Sequence, residues 1–99
     1  MVYAMSKVKY PFHIADDILK FYLSEKAPKY PDFVKRTHQW VVSDYKVKIY
    51  NIYEIPEDKL YEGMKGIAKR LIAFTRFEGY VYKVMSLMEG PEAIKLYQE

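Results

Sequence analysis

Residues 34–55, VKRTHQWVVSDYKVKIYNIYEI, hold two strand-like runs joined at Ser43-Asp44, and they constrain the rest of the chain more than any other stretch. Val, Ile, Tyr and Trp crowd both sides of the junction, as residues suited to a pleated, half-buried surface do. Ser and Asp favour a turn between them. A two-residue loop pairs Val42 with Tyr45, Trp40 with Val47, His38 with Ile49 and Arg36 with Asn51. One hairpin face then carries Val34, Arg36, His38, Trp40 and Val42 beside Tyr45, Val47, Ile49, Asn51 and Tyr53. The assignment is sensitive, because side chains alternate with a period of two and a one-residue change in the loop exchanges the faces.

That face is apolar in the main, yet it includes Arg36, His38 and Asn51. Such a mixture is either a core face whose polar members bond to backbone, or a lined pocket in which a few polar groups orient a ligand. In the pocket reading His38 is the candidate catalytic acid or base, since imidazole titrates near neutral pH. Arg36 and Asn51 bind or polarise an oxygen, while Trp40, Tyr53 and Tyr3 shape the cavity. In the core reading His38 is a satisfied structural histidine. His13 opens a helix and reads as a cap or surface residue.

The flanking segments supply the other elements. Residues 1–10 alternate, with Val2, Ala4, Ser6 and Val8 on one face and Tyr3, Met5, Lys7 and Lys9 on the other, so a strand is expected with its small side chains beneath a helix. Pro11 ends it. Residues 14–26 form a helix with the stripe Ile14, Ala15, Ile18, Leu19, Phe21 and Tyr22, and Asp16 and Asp17 suit its first turn. Pro56 starts a second helix with the stripe Leu60, Met64, Ile67, Leu71 and Phe74. Gly63 flanks that stripe, where close packing on a strand would require it; Gly66 points outward with no evident reason. Residues 80–88 are a fourth strand, and Gly90-Pro91 opens a short tail helix. The order β-α-β-β-α-β is the split βαβ, ferredoxin-like α+β arrangement, with a four-stranded antiparallel sheet. At 99 residues the chain is expected to be a single domain, 1–99.

Composition narrows the chemistry. There are no cysteines and two distant histidines, so neither disulfides, thiolate sites nor a histidine metal cluster is expected. No GxGxxG, GxxxxGK[ST] or GxSxG occurs, and no cofactor is expected. The loop YPFHIADD lacks the glycine and arginine of a phosphate loop. Lys7 and Lys9 break the first apolar stretch, and no run reaches the ~20 residues of a membrane span, so a cytoplasmic protein is expected. Net charge is +3, from thirteen lysines and three arginines against thirteen acids, dispersed rather than clustered; a nucleic-acid partner is not the first expectation. One asparagine and abundant Lys, Glu and Tyr suit a thermophile.

Two helices cover one sheet face. The strand residues of the other face, including Tyr3, Met5, Val81, Met85 and Leu87, are largely apolar, and the cheapest cover is a second copy of the same sheet. The element order, the two-sided apolar strands and the tail helix after Gly90-Pro91 resemble the dimeric α+β barrel superfamily. That superfamily includes antibiotic-biosynthesis monooxygenase-like domains and small uncharacterised ferredoxin-like proteins. The resemblance is a pattern of elements over nearly the whole chain, with no motif matched residue for residue. It implies a homodimer closing through its sheets into a barrel whose interior holds an apolar or aromatic ligand. As an enzyme such a protein would be a cofactor-independent oxygenase or isomerase. A non-enzymatic ligand-binding or structural dimer is the second expectation, and an RNA-binding module using a Tyr/Lys-rich sheet face the third.

Overall fold

In the computed structural model, which describes residues 1–98, the chain forms β1 (Val2–Tyr10), α1 (Ala15–Leu23), β2 (Lys35–Ser43), β3 (Val47–Ile55), α2 (Leu60–Ile72), β4 (Val81–Leu87) and α3 (Gly90–Gln98). The four strands make one antiparallel sheet in the order β2-β3-β1-β4. Each helix-containing connection therefore steps over one intervening strand, which is compatible with the split βαβ, ferredoxin-like arrangement. Ala4, Ser6, Val8 and Tyr10 of β1 are buried beneath the helices, with Val47, Asn51, Tyr53 and Ile55 of β3 beside them. Small residues at the centre of β1 let helix backbones approach closely.

The helices pack by their expected stripes, with one correction. Ile67, Leu71 and Phe74 are buried and Leu60 and Met64 partly so. Ile14, just before α1, and Ile18 and Phe21 within it are buried, but Leu19 is 55% exposed and Tyr22 42%, because the stripe facing the sheet is narrower than the sequence suggests. This helix also stops at Leu23 rather than residue 26. Ser24 Oγ donates to Phe21 O at 2.6 Å, and Glu25 takes a left-handed φ of 58°, a common way to end a helix.

Both glycines of α2 mark close approaches. A Cβ on Gly63 would lie 2.8 Å from Ile55 Cγ2, and one on Gly66 would overlap Pro31 Cγ. The loop between α1 and β2 thus seats Pro31 on the outer side of α2. Alanine at Gly66 gains about 1 kcal/mol of helix propensity but overpacks a stiff ring, which costs about 1–3 kcal/mol. Gly66→Ala is therefore expected to lower stability by up to about 2 kcal/mol in urea unfolding. A raised midpoint would mean that Pro31 yields without cost.

The hairpin differs from its expected register. Ser43 pairs with Val47, so the loop is Asp44-Tyr45-Lys46, and His38 lies opposite Ile52, Gln39 opposite Asn51 and Trp40 opposite Tyr50. The physical reason is the turn itself. Asp44 Oδ1 accepts from the Lys46 N–H at 3.2 Å and Oδ2 from Lys48 Nζ at 3.1 Å, which stabilises the longer loop. The Lys48 ammonium and the Lys46 N–H hold the Asp44 carboxyl below its ordinary pKa. A bulge at Thr37 then restores the parity, and Arg36 pairs with Tyr53. Arg36, Asn51 and Tyr53 consequently share the helix side, whereas His38, Trp40 and Val42 turn to the opposite, open face.

No element of the described chain covers that open face. Its rows run Lys35–Glu54–Tyr3–Leu87, His38–Ile52–Met5–Met85, Trp40–Tyr50–Lys7–Lys83 and Val42–Lys48–Lys9–Val81. It is apolar towards one end and lysine-rich towards the other, so it is less uniformly apolar than the sequence suggests. The tail helix α3 forms as expected, but none of its residues is buried, and Ile94, Leu96 and Tyr97 lie exposed.

Candidate functional site

A cleft opens on the helix side, between α1, the loop after it, β2 and α2. Its outer chamber has a volume of about 380 Å³ and is lined by Tyr22, Glu25, Ala27, Lys29, Tyr30, Arg36 and Arg70. Tyr22, Tyr30, Arg36 and Arg70 also border an inner chamber of about 60 Å³, which reaches Asn51, Gln39, Tyr10, Tyr80, Leu71 and Phe74. The outer volume falls in the range of small-molecule sites; four of its seven lining residues are charged, while the aromatic and aliphatic walls belong mainly to the inner chamber.

The floor is a buried hydrogen-bonded chain. Asn51 Nδ2 donates to Ser6 Oγ at 3.0 Å, Ser6 Oγ and Tyr53 OH share a bond of 2.8 Å, and Tyr53 OH and Tyr30 OH share one of 2.9 Å. Asn51 is 3% exposed, and its Oδ1 has no hydrogen-bond partner among the described residues. Turning the amide over would satisfy Oδ1 on Ser6 and strand Nδ2 instead, so either way one polar end of Asn51 is unpaired at the inner chamber. An unpaired buried polar group costs about 1–3 kcal/mol, which makes the site a natural receptor for a complementary group.

Arginine placement follows from local structure. Arg36 faces the cleft because the Thr37 bulge turns it there, and Thr37 Oγ1 donates to Ile52 O at 3.3 Å within that bulge. Arg70, on α2, donates Nη1 to Pro28 O at 3.1 Å and lies 5.2 Å from the Tyr30 ring centre and 5.5 Å from that of Tyr22. Lys48 and Asp44 form an ion pair in the hairpin turn; among the described residues neither Arg36 nor Arg70 has a carboxylate partner. Three cationic side chains against the carboxylate of Glu25 give the outer chamber a positive balance.

Burial pushes the Tyr53 hydroxyl well above the ordinary tyrosine pKa, with Tyr30 adding to the effect, while the Ser6 hydrogen bond and the Arg36 charge pull it partly back. Tyr80 is raised for the same first reason, and Tyr10 by burial alone. All three are therefore neutral hydroxyls at neutral pH.

The residues singled out from the sequence divide between two faces. Arg36 and Asn51 line the cleft, and Tyr53 supports its floor. His38, Trp40 and Tyr3 lie on the open sheet face, where the His38 and Trp40 rings stack at 4.8 Å and His38 Nδ1 lies 3.0 Å from Thr37 Oγ1. The sheet thus separates His38 from Arg36 and Asn51. Sequence reasoning missed Arg70, Tyr30 and Tyr22. The available signal was rarity, since two of only three arginines in a lysine-rich chain border one cavity. Among the described residues no group of three or more His, Cys, Asp or Glu could hold a metal ion, and no helix is long and apolar enough to cross a membrane.

Fold and cleft together define a small α+β protein with an open antiparallel sheet and a ligand-sized cavity on its helix side. Comparison with protein-family models, curated proteins and solved structures gives no match.

Proposed function

We propose that this protein binds a small organic ligand in the helix-side cleft of each subunit and works as a homodimer packed through its open sheet faces. The observation that carries the binding reading is the cleft over the Asn51–Ser6–Tyr53–Tyr30 chain, with one buried end of Asn51 unpaired. A thermal-shift screen of small aromatic compounds tests it: several should raise the melting temperature, and a screen with no stabilising compound would count against a preformed site.

The uncovered row His38–Ile52–Met5–Met85 and the unpacked α3 support the dimer. A four-stranded face is roughly 19 Å across and about 23 Å along. As a flat patch that is roughly 440 Å², about half of the ~800 Å² per partner of a standard interface, so side-chain relief and the exposed α3 must supply the remainder. In that dimer His38, Trp40 and Tyr3 face the partner's sheet and line a seam. Light scattering at micromolar concentration should give twice the 11.8 kDa of the chain. Ile52→Lys should return it to a monomer without unfolding it, because the residue is only partly buried within one chain. A wild-type monomer that binds RNA in a salt-sensitive manner would favour the lysine-rich end of the sheet as a nucleic-acid platform instead.

A further inference from the structure

Resting on the cleft as the ligand site, we infer its ligand class: a small organic anion with an aromatic body and a hydrogen-bond donor at its far end. The anionic group sits at Arg36 and Arg70, and the donor meets Asn51 Oδ1.

Three observations converge on this class. The first is charge. The outer chamber has Arg36, Arg70 and Lys29 against Glu25. The Arg36 side chain makes no hydrogen bond among the described residues, and Arg70 spends one of its N–H groups on Pro28 O. A guanidinium has five donors in a fixed fork, so both keep donors suited to a carboxylate or phosphate. The second is shape. The outer chamber, about 380 Å³, has the rings of Tyr22 and Tyr30 in its lining, which suits a flat body, and the inner chamber, about 60 Å³, admits only the far end of the ligand.

The third is the direction of the buried hydrogen-bond chain, which has two possible senses. With Asn51 donating to Ser6, each hydroxyl accepts and passes its own proton outward, and the spare O–H falls to Tyr30 on the wall shared by both chambers. With the amide turned, the chain runs inward and Tyr30 presents only lone pairs to the outer chamber. An anion between the arginines favours the outward sense, because an O–H then points toward negative charge. The same choice leaves the Asn51 carbonyl as the free group inside. One end of the ligand thus fixes what the other end must offer, a donor such as a hydroxyl or amine.

The test uses the whole chain and four probes, 4-hydroxybenzoate, benzoate, phenyl phosphate and the neutral 4-hydroxybenzamide, followed by ¹H–¹⁵N NMR titration. 4-Hydroxybenzoate is expected to shift the amides of Tyr30, Arg36 and Asn51 and to bind about tenfold more tightly than 4-hydroxybenzamide. Benzoate, which lacks the donor, should bind several-fold less tightly than 4-hydroxybenzoate. Phenyl phosphate against benzoate shows which anion the arginine pair prefers. Arg36→Gln, at an exposed position, should remove most of the advantage of the anions and weaken the neutral amide far less, while Arg36→Lys should restore part of that advantage. Equal binding of 4-hydroxybenzamide would overturn the anion class and leave the cleft as a ligand site. No shift of the cleft amides by any probe at millimolar concentration would overturn both. Shifts confined to Lys7, Lys9 and Lys83 would mean an adventitious anion on the lysine-rich sheet end and would likewise overturn the inference.

Discussion

Ile67→Ala is expected to cost about 2–5 kcal/mol of unfolding free energy. Ile67 is fully buried, at the centre of the α2 stripe and in one core cluster with Tyr53, Ile55 and Leu71. Truncation removes methyl and methylene groups and leaves a cavity that α2 cannot close, because Gly63 already brings the helix against Ile55. A domain of this size has about 5–15 kcal/mol in total, so the loss is a large part of it. Urea unfolding of the two proteins measures the difference. A loss below about 0.5 kcal/mol would mean that α2 presents another face to the sheet.

The second large effect is an alkaline loss of stability. Tyr53 and Tyr80 keep their protons in the folded chain far above the usual tyrosine range, chiefly because burial penalises the phenolate. In the unfolded chain they ionise near pH 10. Their contribution is therefore fully present below about pH 10, and it falls as the pH rises further, because the unfolded state then binds fewer protons than the folded one. Each tyrosine contributes a slope of about −1.4 kcal/mol per pH unit in that range. Between pH 9 and pH 11 the pair should lower stability by about 3 kcal/mol. Tyr10, also raised by burial, and Lys48, raised by its hydrogen bond to Asp44, add to the decline in the same direction. Chemical unfolding at a series of pH values should show this decline, and Tyr53→Phe or Tyr80→Phe should each remove about half of the pair's share. A flat profile to pH 11 would mean that these hydroxyls reach water.

Much of the fold was legible because its signals are local. The stripe Leu60, Met64, Ile67, Leu71 and Phe74 lies where a 3.6-residue period puts it, and the alternation of β1 puts Ala4, Ser6 and Val8 inward. The hairpin register was not legible, since it depends on two small backbone events. An Asp44-centred turn of three residues inverts β2, and the Thr37 bulge inverts it back before Arg36. Between them His38 and Trp40 lie on the face opposite to the one their sequence partners suggest. Arg36, Asn51 and Tyr53 nevertheless share one face, as the alternation implied. Arg70 and Tyr30 were out of reach of local pattern, since the cleft forms only when α2 and the loop before β2 meet over β3. Gly66 is similar: its neighbour Pro31 is distant in sequence, and its need for a bare Cα appears only in three dimensions.

The most direct test of the helix-side cleft as the binding site is the crystal structure of the protein soaked with 4-hydroxybenzoate. Density for the compound is expected among Arg36, Arg70 and Tyr30, with its hydroxyl toward Asn51. Density instead between two facing sheets, beside His38 and Trp40, would move the site to the dimer seam and contradict the assignment of the cleft.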